Sequence, residues 1–368
     1  MNNNEKRVHE PLFHITKRAD IVWWKAWLIR LVAIVAALFV CAVVIVMITD
    51  YNPLQVYKTM IEGSFGSERK VWILLQNLAM LLCISLAVTP AFKMRFWNLG
   101  AEGQVLIGGL ASAACMFYIK DSMQNWLLLI VMLIASVLGG VIWGLIPAFF
   151  KANWGTNESL FTLMMNYVAI QLVSFFIMVW VPSGSSVMGV INQVTGSGWM
   201  PDLFGKKYLF NILIVAVLTV IMFIYLKFSK QGYEISVVGE SENTARYIGI
   251  NVKKVIIRTM IISGAVCGLA GFLLVSGTNH TISKELAGGM GFTAIMVSWL
   301  AKFNPIVMVI TSFLIVFLQR GAGEIATAFR LNESVADILT GIIIFFIIGC
   351  EFFINYQINK RSKQKEAK

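Results

Sequence analysis

The stretch Trp126–Phe150 reads WLLLIVMLIASVLGGVIWGLIPAFF and contains no charged residue. About 20 apolar residues, at about 1.5 Å each along an α-helix, cross the hydrocarbon layer of a bilayer. A segment in that layer must satisfy its own backbone hydrogen bonds, and a helix does so without any partner. This stretch therefore predicts a membrane-spanning α-helix.

The composition extends this interpretation to the rest of the chain. Of the 368 residues, 58% are hydrophobic and 13% are charged, and the mean hydropathy is +0.76. A soluble domain of this length does not bury so much apolar surface in one core. The strands of a membrane β-barrel would alternate polar and apolar residues, which these runs do not. The predicted fold class is all-α integral membrane protein.

The apolar runs predict about ten membrane-spanning segments. In chain order these are 27–49, 72–91, 97–118, 126–150, 158–181, 209–226, 257–279, 289–301, 305–319 and 333–355. Roughly 26 polar or mixed residues precede the first run, and no small-residue cleavage site follows it. We therefore expect the first span to stay in the mature protein.

Basic residues predict the orientation, because cytoplasmic loops carry an excess of Lys and Arg. The net charge of +11 is concentrated in the two ends of the chain and in short loops such as those at Lys93 and Lys151, which predicts a multi-pass protein with both termini cytoplasmic and no nucleic-acid partner. Three loops are then predicted to face outward: 50–71, 182–208 and 280–288. The chain is predicted to divide into a cytoplasmic basic arm (1–26), a transmembrane domain (27–355) and a cytoplasmic basic tail (356–368). The transmembrane domain includes a long cytoplasmic loop (227–258).

Two glycine-interrupted segments occupy corresponding places in the two halves of the chain. The third segment opens with Asn98, Gly100, Glu102, Gly103 and Gln104, and the eighth opens with Gly288, Gly289 and Gly291. The helices before them are predicted to run in opposite directions, and interrupted segments in an inverted pair are typical of a transporter's central pathway. Close packing of helices through small residues is the alternative, and it does not exclude the first interpretation.

Small and polar residues form two stripes on the predicted helices. One consists of Gly100, Gln104, Gly108 and Ser112, and the other of Glu158, Thr162 and Asn166 with Asn157 beside it. Residues four apart share one helical face, so the stripes either line a route for an uncharged, hydrogen-bonding solute, bond helix to helix, or lie exposed at a loop end. An ionised Glu102 costs about 3 kcal/mol in the membrane unless it is paired or hydrated, so we expect a partner.

The loop from Lys227 to Arg258 contains the signals of a short helix. Ser241 is a good N-cap, Glu242 suits the positive end of the helix dipole, and Gly249 suits the C-terminal stop. The helix is either a contact point for a soluble partner or an ordinary surface helix.

Four stretches resemble one known family. WNLGAEGQVLIGG at Trp97–Gly109 is similar to the FNIGAEGQ signature of ABC permeases of the simple-sugar and nucleoside branch, within the branched-chain amino acid/ribose-type superfamily. GTNESLFTLMMNY at Gly155–Tyr167 resembles a stretch of the nucleoside-type permeases. GYEISVVGESENTARYIGINV at Gly232–Val252 resembles the family's coupling region, and SGAVCGLAG at Ser263–Gly271 follows it.

The resemblance implies a subunit of an ATP-driven importer of nucleosides in a bacterial plasma membrane. The implied partners are a second related permease, ABC ATPase subunits and an extracellular solute-binding lipoprotein. Matching by position assigns the ATPase contact to Glu240, Asn243, Ala245, Arg246 and Gly249. The residues that fall in the signature segments beside the pathway are Asn98, Glu102, Gln104, Asn157, Glu158 and Asn166.

One stretch departs from the family, and several functions stay open. GFTAIMVSWLAKF after Met290 carries Ala294 where a second glycine is usual and Lys302 just beyond, so packing or cargo preference there is open.

No G-x-x-x-x-G-K-[ST] motif is present, so we expect ATP on separate subunits and neither enzyme activity nor a cofactor or metal in this chain. The alternatives are a permease for a sugar such as ribose, a stand-alone secondary transporter or channel, and a membrane enzyme using Glu102 and Glu158.

Overall fold

The computed structural model describes residues 13–18, 21–48, 51–181, 188–330 and 332–360. The helices there are α1 (Trp23–Ile48), α2 (Pro53–Phe65), α3 (Glu68–Lys93), α4 (Ala101–Ile119), α5 (Asn125–Trp154), α6 (Glu158–Trp180), α7 (Leu209–Phe228), α8 (Lys230–Glu240), α9 (Glu242–Tyr247), α10 (Val252–Leu274), α11 (Met290–Leu300), α12 (Pro305–Ala328) and α13 (Glu333–Asn355). A π-helical turn, Val275–Asn279, continues α10, and two short strands are β1 (Phe13–Lys17) and β2 (Tyr356–Lys360). The predicted all-α class is confirmed. Parts of the predicted arm, outward loop and tail lie outside the described residues: 1–12, 19–20, 182–187 and 361–368.

The predicted membrane segments all correspond to helices. Eight helices among the described residues are long and apolar enough to span a membrane, and shorter apolar helices cover Met290–Leu300 and Ile338–Ile354. The chain is therefore a multi-pass membrane protein. Some helix ends differ from the predicted segment ends: α4 begins at Ala101, whereas the predicted segment begins at 97, and α12 continues to Ala328, beyond the predicted end at 319.

Two predicted loops contain additional helices. The outward loop 50–71 holds α2, which begins at Pro53, and also the first turn of α3. The loop predicted to be cytoplasmic, 227–258, holds α8, whose glycines argue against a helix by propensity alone. These glycines allow close packing, since a Cβ at Gly232 would meet the Tyr225 carbonyl and one at Gly239 would meet the Lys93 carbonyl.

The compact unit Ser64–Phe317 is built around α10. This helix packs against α3, α4 and α5, while α6 packs on α4, and both α7 and α11 pack on α3. Small residues allow the closest approach: Gly140 of α5 meets Gly264 and Gly268 of α10, and Gly268 also meets Gly108 of α4. Ser136 ties the three helices, because its hydroxyl shares its single hydrogen between the carbonyl oxygens of Gly108 (2.8 Å) and Gly268 (2.6 Å).

The second compact unit joins the two ends of the chain, Met1–Gly63 and Leu318–Lys368. In it α1 packs against α13, and β1 pairs antiparallel with β2. The Arg30 guanidinium of α1 lies 2.6 Å from the Glu351 carboxylate of α13. An apolar helix carrying an arginine thus meets a helix that carries the matching carboxylate.

Candidate translocation pathway and coupling site

The Glu102 carboxylate joins the two glycine-interrupted segments. Its Oε1 accepts from the backbone N–H of Gly289 at 2.9 Å, and its Oε2 accepts from that of Gly291 at 2.8 Å. These donors stand at the beginning of α11, where a helix has unsatisfied N–H groups and a partial positive charge. The partner that the sequence required for Glu102 is therefore the N-terminus of α11.

Glycine is required at this contact by both space and conformation. Gly289 has φ +73°, a left-handed conformation that side chains rarely adopt. A Cβ at Gly291 would lie 2.7 Å from Glu102 Oε2 and 2.8 Å from its backbone nitrogen. The glycines of the eighth segment thus let its backbone reach α4, which agrees with the close-packing alternative.

The stretch between α10 and α11 runs antiparallel along α4. At one end, His280 stacks on Trp199 with ring centroids 4.0 Å apart, and the loop that carries Trp199 bonds the end of α4 through Ser197 Oγ, which donates to the Lys120 carbonyl. Further along, Leu286 fills the space where a Cβ of Gly109 would lie. At the other end the stretch reaches Glu102. The predicted outward loop 280–288 is non-helical, but it lies beside a spanning helix.

Asn98 and Gln104 organise the non-helical turn that precedes α4. The buried Asn98 side chain donates to Ser263 Oγ of α10 (3.3 Å), and it accepts from the Gly100 N–H (3.1 Å) and from Gln104 Nε2 (3.4 Å). Backbone that leaves a helix inside a membrane needs such partners because no water replaces them. Both residues therefore support the local fold.

The polar stripe of α6 bonds the same turn from the other side. Asn166 accepts from the Gly103 N–H (2.8 Å) and donates to the Leu99 carbonyl (2.7 Å), while Thr162 Oγ1 accepts from the Leu99 N–H (3.1 Å). These are the helix-to-helix bonds of the alternative interpretation. A further role beside the solute stays a prediction for this stripe.

Asn157 and Glu158 lie at the α5–α6 junction. Asn157 is the N-cap of α6 and accepts from the Leu160 N–H (3.1 Å), while Glu158 forms an ion pair with Lys151 at 2.7 Å. The contacts seen for these residues fix how α6 begins. Their place in the pathway stays a prediction.

An aromatic stack also connects the two interrupted segments. The rings of Trp97 and Trp299 stack with centroids 5.8 Å apart, and Phe92 and Phe303 meet them edge-on. Both tryptophans are about half exposed. Sequence reasoning missed this pair, and the only available signal was an aromatic residue at one end of each atypical segment.

The short helix predicted between Ser241 and Gly249 is present as α9, while its role in coupling stays a prediction. Ser241 Oγ accepts from the Thr244 N–H at 3.2 Å, and Gly249, with φ +84°, ends the helix while the Ile250 N–H bonds the Ala245 carbonyl. Ala245 is fully buried. The exposed residues from Glu240 to Gly249 are Glu240, Glu242, Asn243, Thr244, Arg246, Tyr247, Ile248 and Gly249.

The helix α8 fixes α9 to the transmembrane bundle. It packs against α3, α7 and α10, and its Glu234 carboxylate lies 2.8 Å from the Arg258 guanidinium of α10. A Cβ at Gly239 would collide with the Lys93 carbonyl, so α8 lies directly on the end of α3. Through α8, α9 is therefore connected to α3 and α10, the helices that precede the two interrupted segments.

The chain is similar to known transport proteins over most of its length. The chain is similar to a glucose ABC transporter permease of Haloferax volcanii, with 25% identity over 93% of this chain and 92% of the relative. It is similar to a guanosine ABC transporter permease of Bacillus subtilis, with 29% identity over 92% of this chain and 97% of the relative. A nucleoside ABC transporter permease of Lactococcus lactis is 28% identical over 92% of this chain and 95% of the relative. The profile of the family described as "Branched-chain amino acid transport system / permease component" matches residues 72–348. The chain belongs to this family of ABC permeases.

Proposed function

We propose that this chain is the translocation subunit of an ATP-driven importer of nucleosides. The observation that carries the proposal is the position of α9, a short helix with a buried anchor, Ala245, and exposed polar residues, attached through α8 to α3 and α10. A protruding, firmly attached helix suits a subunit that is moved by a separate ATPase. The chain itself has no phosphate-binding loop.

The contacts suggest how movement would spread from α9. Closure of the ATPase subunits would displace α8 and, with it, α3 and α10. Because Asn98 links the turn before α4 to α10, and Glu102 links α4 to α11, both interrupted segments would move with these helices. Such coupled displacement fits alternating access by rocking of helical groups around a fixed route.

The cargo assignment depends on the relatives and on one stretch of sequence. Two of the three similar permeases named above carry nucleoside or guanosine in their names. The stretch GTNESLFTLMMNY, in which Thr162 and Asn166 hold the turn before α4, resembles the nucleoside-type permeases. The glucose permease relative covers 93% of this chain, so a simple sugar is the second candidate.

The proposed assembly contains a second permease, two ABC ATPase subunits and an extracellular solute-binding lipoprotein in a bacterial plasma membrane. ATP would bind to the ATPase subunits, with no cofactor in this chain. Pairing of β1 with β2 brings the described ends of the chain together. This pairing agrees with the proposal that both termini lie on the cytoplasmic side, as the basic arm and tail suggest.

Uptake of radiolabelled solutes tests the cargo directly. Cells with and without the gene would be given labelled nucleosides, glucose and ribose, each with unlabelled competitors in excess. We expect loss of nucleoside uptake alone in cells without the gene. Loss of glucose or ribose uptake with nucleoside uptake intact would show that the cargo is a sugar and would contradict the nucleoside assignment.

Reversal of a charge on α9 is expected to lower transport without changing the stability of the fold. In Arg246→Glu we expect uptake to fall about tenfold or more, while stability stays within about 1 kcal/mol, because the exposed Arg246–Glu242 pair contributes little to the fold. Lys207→Glu makes the same charge change at an exposed site in a predicted outward loop and serves as the control. Uptake and thermal midpoint would be measured for both variants. Normal uptake in Arg246→Glu would contradict the coupling role.

A further inference from the structure

Two charged side chains are exposed beside the middle of a membrane-spanning helix. Ile282 and Leu286 are buried against α4 at Gly109, the ninth of its 19 residues. Lys284 and Glu285 stand between these two anchors in the chain, and both are exposed. Their depth follows from the path of the stretch. It begins level with the C-terminal end of α4 and finishes at Glu102, in the first turn of α4.

Lipid is an unfavourable neighbour for this stretch. A charged side chain that faces hydrocarbon at the centre of a bilayer is strongly unfavourable, and this stretch carries two of them. Irregular backbone at this depth is tolerated where it is buried in protein or lines a water-filled cavity. Within the described part of the chain, neither Lys284 nor Glu285 forms an ion pair or a side-chain hydrogen bond.

We propose that Ser283–Gly289 forms one wall of the solute route, with Lys284 and Glu285 in contact with the passing solute. This inference rests on the proposed function and adds to it Lys284 and Glu285, which the sequence did not suggest. The four residues exposed along the stretch are Lys284, Glu285, Gly288 and Gly289.

The chemistry of this wall suits an uncharged polyhydroxylated solute. Glu285 can accept hydrogen bonds from two neighbouring hydroxyl groups, such as those of a ribose, while Lys284 can donate to a carbonyl or ring nitrogen. Their charges cancel, so the pair has no preference for a net charge on the solute. The N-terminus of α11, which would otherwise attract an anion, already binds the Glu102 carboxylate.

Cysteine labelling in the assembled transporter tests the location of this wall. We expect Lys284→Cys and Glu285→Cys to react with a membrane-impermeant cationic thiosulfonate in the ATP-free or the vanadate-trapped state. Val217→Cys, at an exposed apolar position of α7, is the lipid-facing control and should not react. The wild-type chain gives the background, since four of its five cysteines are buried. Absence of labelling at both positions in both states would overturn the proposal.

Protection by solute separates a wall of the route from a contact with another subunit. Nucleoside at about ten times its Kd should slow labelling roughly tenfold, as mass action requires for a shared site. Protection by glucose alone would support the location of the wall but show that the cargo is a sugar and not a nucleoside. Labelling that neither solute slows, or that appears only after the two permeases are separated, would overturn the solute contact.

Kinetics supply a second readout that does not depend on labelling. In Glu285→Gln and Lys284→Met we expect the KM for uptake to rise about tenfold while the maximal rate changes little, because the lost contact is made with bound solute. A fall in maximal rate at unchanged KM would show that the pair supports structure, and would contradict the proposal.

Discussion

Gly140→Ala is expected to destabilise the transmembrane bundle, although alanine favours helices more than glycine does. The new Cβ would collide with the Gly264 carbonyl oxygen and lie 2.8 Å from the nitrogen and 2.9 Å from the Cα of Gly268. All three atoms belong to the backbone of α10, so no side chain can move aside. Overpacking of this kind costs about 1–3 kcal/mol, and here it would separate α5 from the central helix.

The neighbouring glycine of the same helix provides a matched control. A Cβ at Gly139 would have its nearest contacts at 3.3 Å, from the Ile107 carbonyl, and at 3.4 Å, from the Ala111 side chain. Thermal midpoints of the two variants, measured by size-exclusion chromatography after heating, should differ clearly, with Gly140→Ala the lower. Equal midpoints would show that α5 and α10 are not packed as described.

Glu102→Ala is expected to lower uptake by about one to two orders of magnitude. The change leaves the N–H groups of Gly289 and Gly291 without an acceptor inside the membrane. Hydrogen bonds to a charged group are worth about 1.5–3 kcal/mol each, so the arrangement of α4 with α11 loses roughly 3 kcal/mol or more. Glu102→Gln keeps one acceptor oxygen and should retain intermediate activity.

The control for this prediction is a glutamate that makes only a surface contact. Glu62 of α2 is exposed and lies 3.6 Å from Lys58 in an i,i+4 pair, so Glu62→Ala should change stability by less than about 0.5 kcal/mol. Uptake rates would be compared at equal amounts of protein in the membrane. Normal uptake in Glu102→Ala, or no recovery in Glu102→Gln, would contradict the proposed link.

The spanning helices were predictable because their cause is local. Some 20 apolar residues in a row have few structures open to them in a bilayer, so each run identified a helix. The cap at Ser241 and the stop at Gly249 were predictable for the same reason. The helices α2 and α8 were missed because both are short and polar or glycine-containing, and α8 depends on contacts with distant backbone.

The candidate site was only partly predictable because its contacts are distant in sequence. A need for a partner at Glu102 follows from membrane electrostatics, yet the partners are backbone groups 187 and 189 positions away. Asn166 and Thr162 were placed on one face correctly, but their bonds to a non-helical turn depend on packing. The stretch with Lys284 and Glu285 has the composition of a surface loop, and only its anchors on α4 reveal its depth.

The ion pair between Arg30 and Glu351 has a consequence for biosynthesis. The two residues are 321 positions apart, and a ribosome needs roughly 15–60 s to make that length of chain. During this interval α1 enters the membrane with an arginine whose carboxylate partner does not yet exist. Until translation passes Glu351, Arg30 depends on other surroundings, and its place in the first third of α1 lets its long side chain extend toward the membrane interface.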